Sequence, residues 1–224
     1  MWRRRLRGYM GKTIKINISD RDPFIIEETR IVIKSGGVAA IPTDTFYGLG
    51  VDPFNTGAIE KIYQIKGRDP HKPLLLLIET TKRLGSLIAE TTKDSEILMR
   101  ELWPGPLTII FRASPALPAI LTGDTGKIGV RLPASSFLIW LLEGLDMAIT
   151  ATSANPSGLP PPATAEVVER YFSRNIDLII DAGRTDGIRE STVIDATEAP
   201  MRLIREGMIK TERLEGLIGK INRC

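Results

Sequence analysis

Short apolar runs of strand length alternate with helix-patterned segments along the chain, and this rhythm constrains the fold more than any other feature. "TIKI" reads as a strand, and "DPFIIEETRIVIKSGG" reads as a helix with Asp22 as N-cap, Pro23 at the first helical position and Gly36-Gly37 at its close. "VAAI" is a strand, "TGAIEKIYQIKG" a helix capped by Thr56 and stopped by Gly67, and "PLLLLI" a buried strand. "TTKRLGSLIA" and "TTKDSEILMRELW" are expected as helices with threonine available for capping. The second half continues with strands "LTIIF" and "IGVRL", helix "SSFLIWLLEG", strand "DMAITAT" and helix "ATAEVVERYFSR" capped by Thr164. "DLIID", "STVIDA" and "MRLIRE" follow as three closing strands. The alternation predicts one α/β domain, a twisted sheet flanked by helices. Late strands without intervening helices make that sheet mixed parallel and antiparallel. The expected organisation is an N-terminal extension over 1–12, a domain over 13–210 and a terminal helix or tail over 211–224.

Composition narrows the function classes. The 224 residues are 42% hydrophobic and 25% charged, as in soluble globular proteins. The longest apolar runs, "PLLLLI" and "FLIWLL", fall far short of the roughly 18 residues of a membrane span, so no membrane partner is expected. The net charge of +3 belongs to the first twelve residues, "MWRRRLRGYMGK", which hold five basic groups and no acid. The remaining 25 basic and 27 acidic side chains leave the body at −2. The basic stretch reads as a flexible extension or as read-through upstream of Met10, with contact to nucleic acid or a membrane surface as the alternative. Its arginines are not followed by the apolar segment of a signal peptide. A single cysteine, Cys224, and a single histidine, His71, exclude an internal disulfide framework and a Cys/His zinc site. They also leave a Ser-His-Asp or Cys-His hydrolase without its parts. A reducing, cytoplasmic setting fits this cysteine usage.

The polar residues that follow strands carry the chemistry, because ligands of open α/β sheets bind beyond the carboxyl ends of strands. "PTDTFYGLG" after "VAAI" offers Thr43, Thr45 and Tyr47. Arg131 lies near the end of "IGVRLP", Thr152, Ser153 and Asn155 follow "DMAITA", Ser191 and Thr192 stand in "GIRESTV", and Arg205 ends "MRLIRE". Lys66 and Arg68 come at the end of a helix. Hydroxyls, amides and cations with few carboxylates suit an anionic ligand, not a paired-carboxylate glycosidase or a divalent-metal cage, so no protein metal site is expected. Each piece also has a plain structural reading: a helix C-cap for "KGR", turns for "TSANPSG" and "PTDT", a core residue for Trp103, an ion pair for Arg131. "GDTGK" (123–127) lacks the spacing of a Walker A loop and is followed by Ile128, and no GxGxxG follows a strand.

Seven motifs, "IPTDTFYGLG", "KGRDPHKPL", "WPGPLT", "GVRLP", "TSANPSG", "ESTVID" and "LIREGMI", occur in the order and spacing of the YrdC/YciO family, from about Ile31 to Ile209. The chain resembles that family, which includes the L-threonylcarbamoyladenylate synthases. The resemblance implies a YrdC-like catalytic domain with a large, positively lined concave site. It implies that L-threonine, bicarbonate and ATP give threonylcarbamoyl-AMP and pyrophosphate, and that a downstream transferase moves the threonylcarbamoyl group onto tRNA. ATP enters as substrate, with Mg²⁺ on its phosphate oxygens and no tightly bound cofactor. The alternative within the family is a YciO-like paralogue that binds RNA or a nucleotide without synthase activity.

The family's Lys-x-Arg and Ser-x-Asn tetrad is matched by Lys66, Arg68, Ser153 and Asn155, which the resemblance makes the catalytic set and contacts to phosphate and carbamate. Thr43, Tyr47, Arg131 and Ser191 become the threonine side, with Arg131 facing the carboxylate. Thr108, Thr150, Thr152 and Arg205 join the tetrad on the ATP side. Direct contact with tRNA stays open. Three departures stand out: Asp69 separates Arg68 from Pro70, Leu77 stands where many synthases carry histidine, and longer members continue into a linker and second domain.

Overall fold

Every strand runs for six residues or fewer, so the sheet gains its size from the number of strands. The computed structural model describes residues 11–172, 175–187 and 189–223. Among these, β1 (Lys12–Lys15), β2 (Ala39–Ile41), β3 (Gly48–Gly50), β4 (Leu75–Leu77), β5 (Leu107–Arg112) and β6 (Lys127–Arg131) are joined by β7 (Ile149–Ser153), β8 (Leu178–Asp181), β9 (Thr192–Asp195), β10 (Arg202–Arg205) and β11 (Asn222–Arg223). They form one sheet in the order β1-β8-β2-β3-β7-β4-β6-β5-β9-β10-β11. The pairs β1·β8, β2·β8, β4·β6, β5·β9 and β10·β11 are parallel, and the other five are antiparallel. The expected mixed sheet is present. All but Lys12 and Gly11 of the expected N-terminal extension lies outside the described residues, and Lys12 opens β1. The segment from 211 is both helix and strand: α8 (Thr211–Ile218) packs on the body and β11 pairs with β10.

Strand alternation divides the apolar residues between two layers. Val38 and Ala40, Ile176 and Ile179, and Leu74, Leu76 and Ile78 belong to one core. Their neighbours Ala39 and Ile41, Leu178 and Ile180, and Leu77 belong to the other. The second core is covered by α1 (Pro23–Lys34) and α6 (Ser136–Leu145), which pack together. The first is covered by α2 (Thr56–Lys66), α3 (Leu84–Leu87), α4 (Lys93–Leu102), α5 (Ala119–Thr122), α7 (Ala165–Phe172) and α8. No helix among the described residues is long and apolar enough to cross a membrane.

Local signals explain most boundaries. Asp22 caps α1 by accepting from the Phe24 amide at 2.9 Å, with Pro23 at the first helical position. α2 is capped by Asn55, not Thr56; the Asn55 side chain accepts from the Ala58 amide at 3.0 Å, and Gly67 ends the helix at φ +57°. "TTKRLGSLIA" is not one helix but a 3₁₀ turn over Thr81–Arg83 running into the single turn of α3, which stops where Ile88 bridges Ala113. The sequence reading also passed over β3. Gly50 leaves room there for the Ile149 and Ile41 side-chain tips, which lie 3.1 and 3.3 Å from where a Cβ would stand.

Thr92 and Ser95 form a reciprocal capping box at the start of α4: each side chain bonds the other's backbone amide, at 3.2 and 2.9 Å. Thr92→Ala is expected to lower the unfolding free energy by about 1 kcal/mol. Urea denaturation measures this, and an unchanged midpoint would show that the cap contributes nothing.

Candidate functional site

Three adjoining cavities open where the β2–β3 loop, the ends of β6, β7 and β10 and the start of β9 converge. The first, about 70 Å³, is lined by Thr43, Thr45, Tyr47, Leu77, Arg131 and Ser191, among others. The second, about 500 Å³, shares Thr152, Ser153, Glu190 and Arg205 with the first and adds Arg68 and Thr108. The third, about 340 Å³, holds Lys66, Arg68, Ser153 and Asn155. Ser153, the last residue of β7, lines all three. The register explains its place: β7 lies between β3 and β4, with Ser153 opposite Gly48 and Ala151 opposite Leu75.

Lys66, the last residue of α2, is buried, and its Nζ donates to the backbone carbonyls of Ser153 and of Asn155, the latter at 2.5 Å. Burial, with Arg68 nearby adding to it, pushes the Lys66 ammonium down to about 7. A neutral amine keeps two N–H donors, which matches the two carbonyls, and protonation adds a third. Arg68 donates through Nε to Lys72 O at 3.2 Å and through a terminal nitrogen to Pro73 O at 2.9 Å, and burial lowers its pKa. Asn155 donates its amide hydrogens to Pro156 O and Leu159 O, at 3.0 and 2.6 Å. Its side-chain oxygen is buried with no partner.

Arg131 is buried and held at three edges. Nε donates to Gly105 O at 3.0 Å, one terminal nitrogen meets Asp44 Oδ2 at 2.5 Å, and the other lies 3.5 Å from Thr45 Oγ1. Burial lowers its pKa, and Asp44 acts in the opposite direction. Arg205 caps the other wall, bonding Ser191 O at 3.0 and 3.2 Å and Glu190 Oε2 at 2.5 Å. Ser191 Oγ in turn lies 3.0 Å from Thr108 Oγ1.

The fold places Thr43, Tyr47, Arg131 and Ser191 along the first cavity, Arg68 and Thr108 along the second, and Thr152, Ser153 and Arg205 along both. Two assignments change. Thr150 is fully buried within the sheet, where its hydroxyl accepts from the Val51 amide at 3.0 Å, and it lines none of these cavities. Tyr47 lines the first cavity, but its hydroxyl donates to Gly183 O at 2.8 Å and accepts from the Ala182 amide at 3.1 Å. Burial pushes that hydroxyl up to about 12, so it stays protonated and fastens the 182–187 loop. Gly187 brings the same loop so close to Thr45 that a Cβ would stand 1.6 Å from the Thr45 carbonyl oxygen. Sequence reasoning missed Asp44 and Glu190. Both lie inside segments it singled out, yet the Asp44–Arg131 partnership bridges 87 positions and leaves no local signal. It also missed the apolar floor of the second cavity, to which Leu75, Ile110, Val193 and Ile204 contribute.

A mixed sheet with a cationic, hydroxyl-rich cleft of this kind defines a class, and comparison with known proteins specifies it. The family model Sua5_yciO_yrdC, described as "Telomere recombination", matches residues 31–207, and the chain belongs to the Sua5/YciO/YrdC family. It is 39% identical over 214 residues to the threonylcarbamoyl-AMP synthase of Pyrococcus abyssi (strain GE5 / Orsay), covering 93% of this chain and 62% of that protein. It is 35% identical over 206 residues to the threonylcarbamoyl-AMP synthase of Bacillus subtilis (strain 168), covering 92% and 59%. The chain therefore spans about three-fifths of the length of these relatives. Among solved structures, P. abyssi Sua5 complexed with L-threonine superposes with a TM-score of 0.90 at 36% identity, covering 95% of this chain and 62% of that one. E. coli YciO does so with a TM-score of 0.84 at 25% identity, covering 92% and 100%.

The Lys66 geometry has a measurable consequence. At pH 8, above its folded pKa of about 7, the side chain is mostly neutral, and a polyanion in the third cavity favours the protonated form. Binding of sulfate, an anion that does not itself titrate in this range, is expected to take up protons, seen as a buffer-dependent enthalpy in titration calorimetry and absent in Lys66→Met. Equal enthalpies in buffers of different ionisation heat would contradict it.

Proposed function

We propose that the cleft makes threonylcarbamoyl-AMP from L-threonine, bicarbonate and ATP and releases pyrophosphate. The observation that carries this reading is the meeting of three cavities at Ser153, the first lined by Arg131 and Arg205, the second by Arg68 and Arg205, and the third by Lys66 and Arg68. The names and titles of the similar proteins support the same substrates, threonine above all.

The chemistry needs little beyond charge and position. The threonine ammonium gives up a proton to solvent, and the free amine adds to bicarbonate, forming a carbamate and water. A carbamate oxygen then attacks the α-phosphorus of ATP, and pyrophosphate leaves. Two anions must approach, so repulsion and lost entropy dominate the barrier. Fixed cations reduce the first; holding both reactants reduces the second, where effective molarities reach roughly 10⁵ M or more. Lys66 and Arg68 face phosphate and carbamate oxygens, Ser153 bonds the α-phosphate or carbamate, and the unpartnered Asn155 oxygen accepts from the carbamate N–H, since both Asn155 amide hydrogens go to backbone carbonyls. Thr43, Tyr47, Arg131 and Ser191 form the threonine side, Tyr47 through its ring. Thr108, Thr152 and Arg205 serve the nucleotide, whose base fits the apolar floor. Asp69 is the one carboxylate lining the third cavity among the described residues, so Mg²⁺ would ride on the phosphates rather than in a protein cage. The threonylcarbamoyl group then passes through a downstream transferase to tRNA, a cytoplasmic role. A second reading, a YciO-like protein that holds a nucleotide or RNA without synthesis, is favoured by the apolar Leu77 in the first cavity.

Purified protein given ATP, bicarbonate and Mg²⁺ is expected to release pyrophosphate only when L-threonine is present. Salt-sensitive RNA retention without turnover would favour the second reading. Lys66→Ala and Arg68→Ala should each lower turnover by roughly 10²-fold or more with the fold intact by circular dichroism. Arg131→Ala should weaken threonine more than ATP in separate titrations. Full activity in the first two variants, or unchanged threonine affinity in the third, would remove those residues from these roles.

A further inference from the structure

The charges around the cleft are not uniform. In the first cavity Arg131 pairs with Asp44, and Arg205 pairs with Glu190, each at 2.5 Å, so the four charges cancel. In the third, Lys66, Arg68 and Lys72 face a single carboxylate, Asp69. A balanced pocket beside a cationic one suits a zwitterion beside a polyanion.

The two carboxylates of the balanced pocket differ. Asp44 lies behind the wall: its Oδ2 also accepts from the Ala134 amide at 3.1 Å, and it does not line the first cavity. Glu190 is the one acidic residue lining that cavity among the described residues, and it lines the second as well. Its side chain is 42% exposed, and Arg205 occupies only its Oε2. A carboxylate in a solvent-accessible pair gives up little when it takes a second cation.

We infer that Glu190 receives the ammonium group of the amino-acid substrate, while the Arg131 guanidinium faces its carboxylate. This rests on the synthase reading for the identity of the amino acid. The arrangement places the substrate nitrogen, the atom that must become carbamate, at the border between the first and second cavities. Glu190 is thereby a specificity determinant: it selects a zwitterion over a simple hydroxy acid of the same shape.

The test is titration calorimetry without ATP, using L-threonine and (R)-3-hydroxybutyrate, which lacks the ammonium. The wild type is expected to bind threonine about tenfold or more tightly than hydroxybutyrate, the usual worth of one hydrogen bond to a charged group. Glu190→Gln should weaken threonine by about the same factor and leave hydroxybutyrate within about twofold, whereas Glu190→Asp, which keeps the charge, should retain the preference. Wild-type threonine affinity in Glu190→Gln, or equal weakening of both ligands, would overturn the assignment and leave the synthase reading standing. If the wild type binds another of the twenty amino acids in place of threonine and Glu190→Gln loses it, the ammonium assignment holds and the threonine reading fails. If it binds none of them, both fall.

Discussion

Two backbone oxygens, those of Ser153 and Asn155, accept hydrogen bonds from the buried Lys66 nitrogen, and the Ser157 amide donates back to the Lys66 carbonyl at 2.7 Å. These contacts sew the end of α2 to the turn that follows β7. Without them the Ser-Ala-Asn segment has no side-chain tie to the helix that carries Lys66 and, two residues on, Arg68. Lys66, Ser153 and Asn155 are thereby joined directly, Arg68 is held separately by the Lys72 and Pro73 carbonyls, and all four line the third cavity. A buried lysine is costly unless its donors are matched. Here the neutral form matches both carbonyls, and with burial lowering the ammonium to about 7 the protonated form, which carries a third donor, is also populated near neutrality.

The sheet supplies the rest of the alignment. Strand β7, in the middle of the sheet, is paired on both edges, so Ser153 cannot move without breaking register with Gly48. Arg131 sits opposite Leu77 across the parallel β4·β6 pair. The cavity walls are thus fixed by ladder hydrogen bonds, and the loops need only bring Asp44, Glu190 and the 182–187 segment up to them. Tyr47 does this for the last of these, its hydroxyl bonded on the far side of a pocket that its ring lines.

The alternation of strands and helices was legible because each element carried its own period and caps; Asp22, Pro23 and Gly67 act as their residue types predict. The site was legible to the extent that its residues follow strands. What escaped had a non-local cause. β3 is Gly-Leu-Gly, with no β-branched residue to mark it, and exists because β2 and β7 flank it. Thr56 and Asn55 are both acceptable caps, and only the turn geometry chooses the asparagine. Thr150 and Thr152 look alike in "AITATS", yet the hydroxyl of the first is taken by Val51. Tyr47 lines the first cavity, yet its hydroxyl donates its hydrogen bond to Gly183, 136 positions away, a partner that no local pattern announces.

The two arginine–carboxylate pairs of the first cavity divide the labour between permanence and exchange. Arg131–Asp44 is buried, with side-chain exposures of 6% and 16%. Removing one partner of such a pair typically costs about 3–5 kcal/mol, because the other charge is stranded. Arg205–Glu190 is open to water at 40% and 42%, and pairs of that kind contribute about 0–1 kcal/mol. The first pair can hold a guanidinium at a set angle through many binding cycles but cannot easily rearrange. The second can lend its carboxylate to a ligand and take it back. The first cavity thus combines a guanidinium fixed by a carboxylate behind its wall with an exposed carboxylate held through one oxygen.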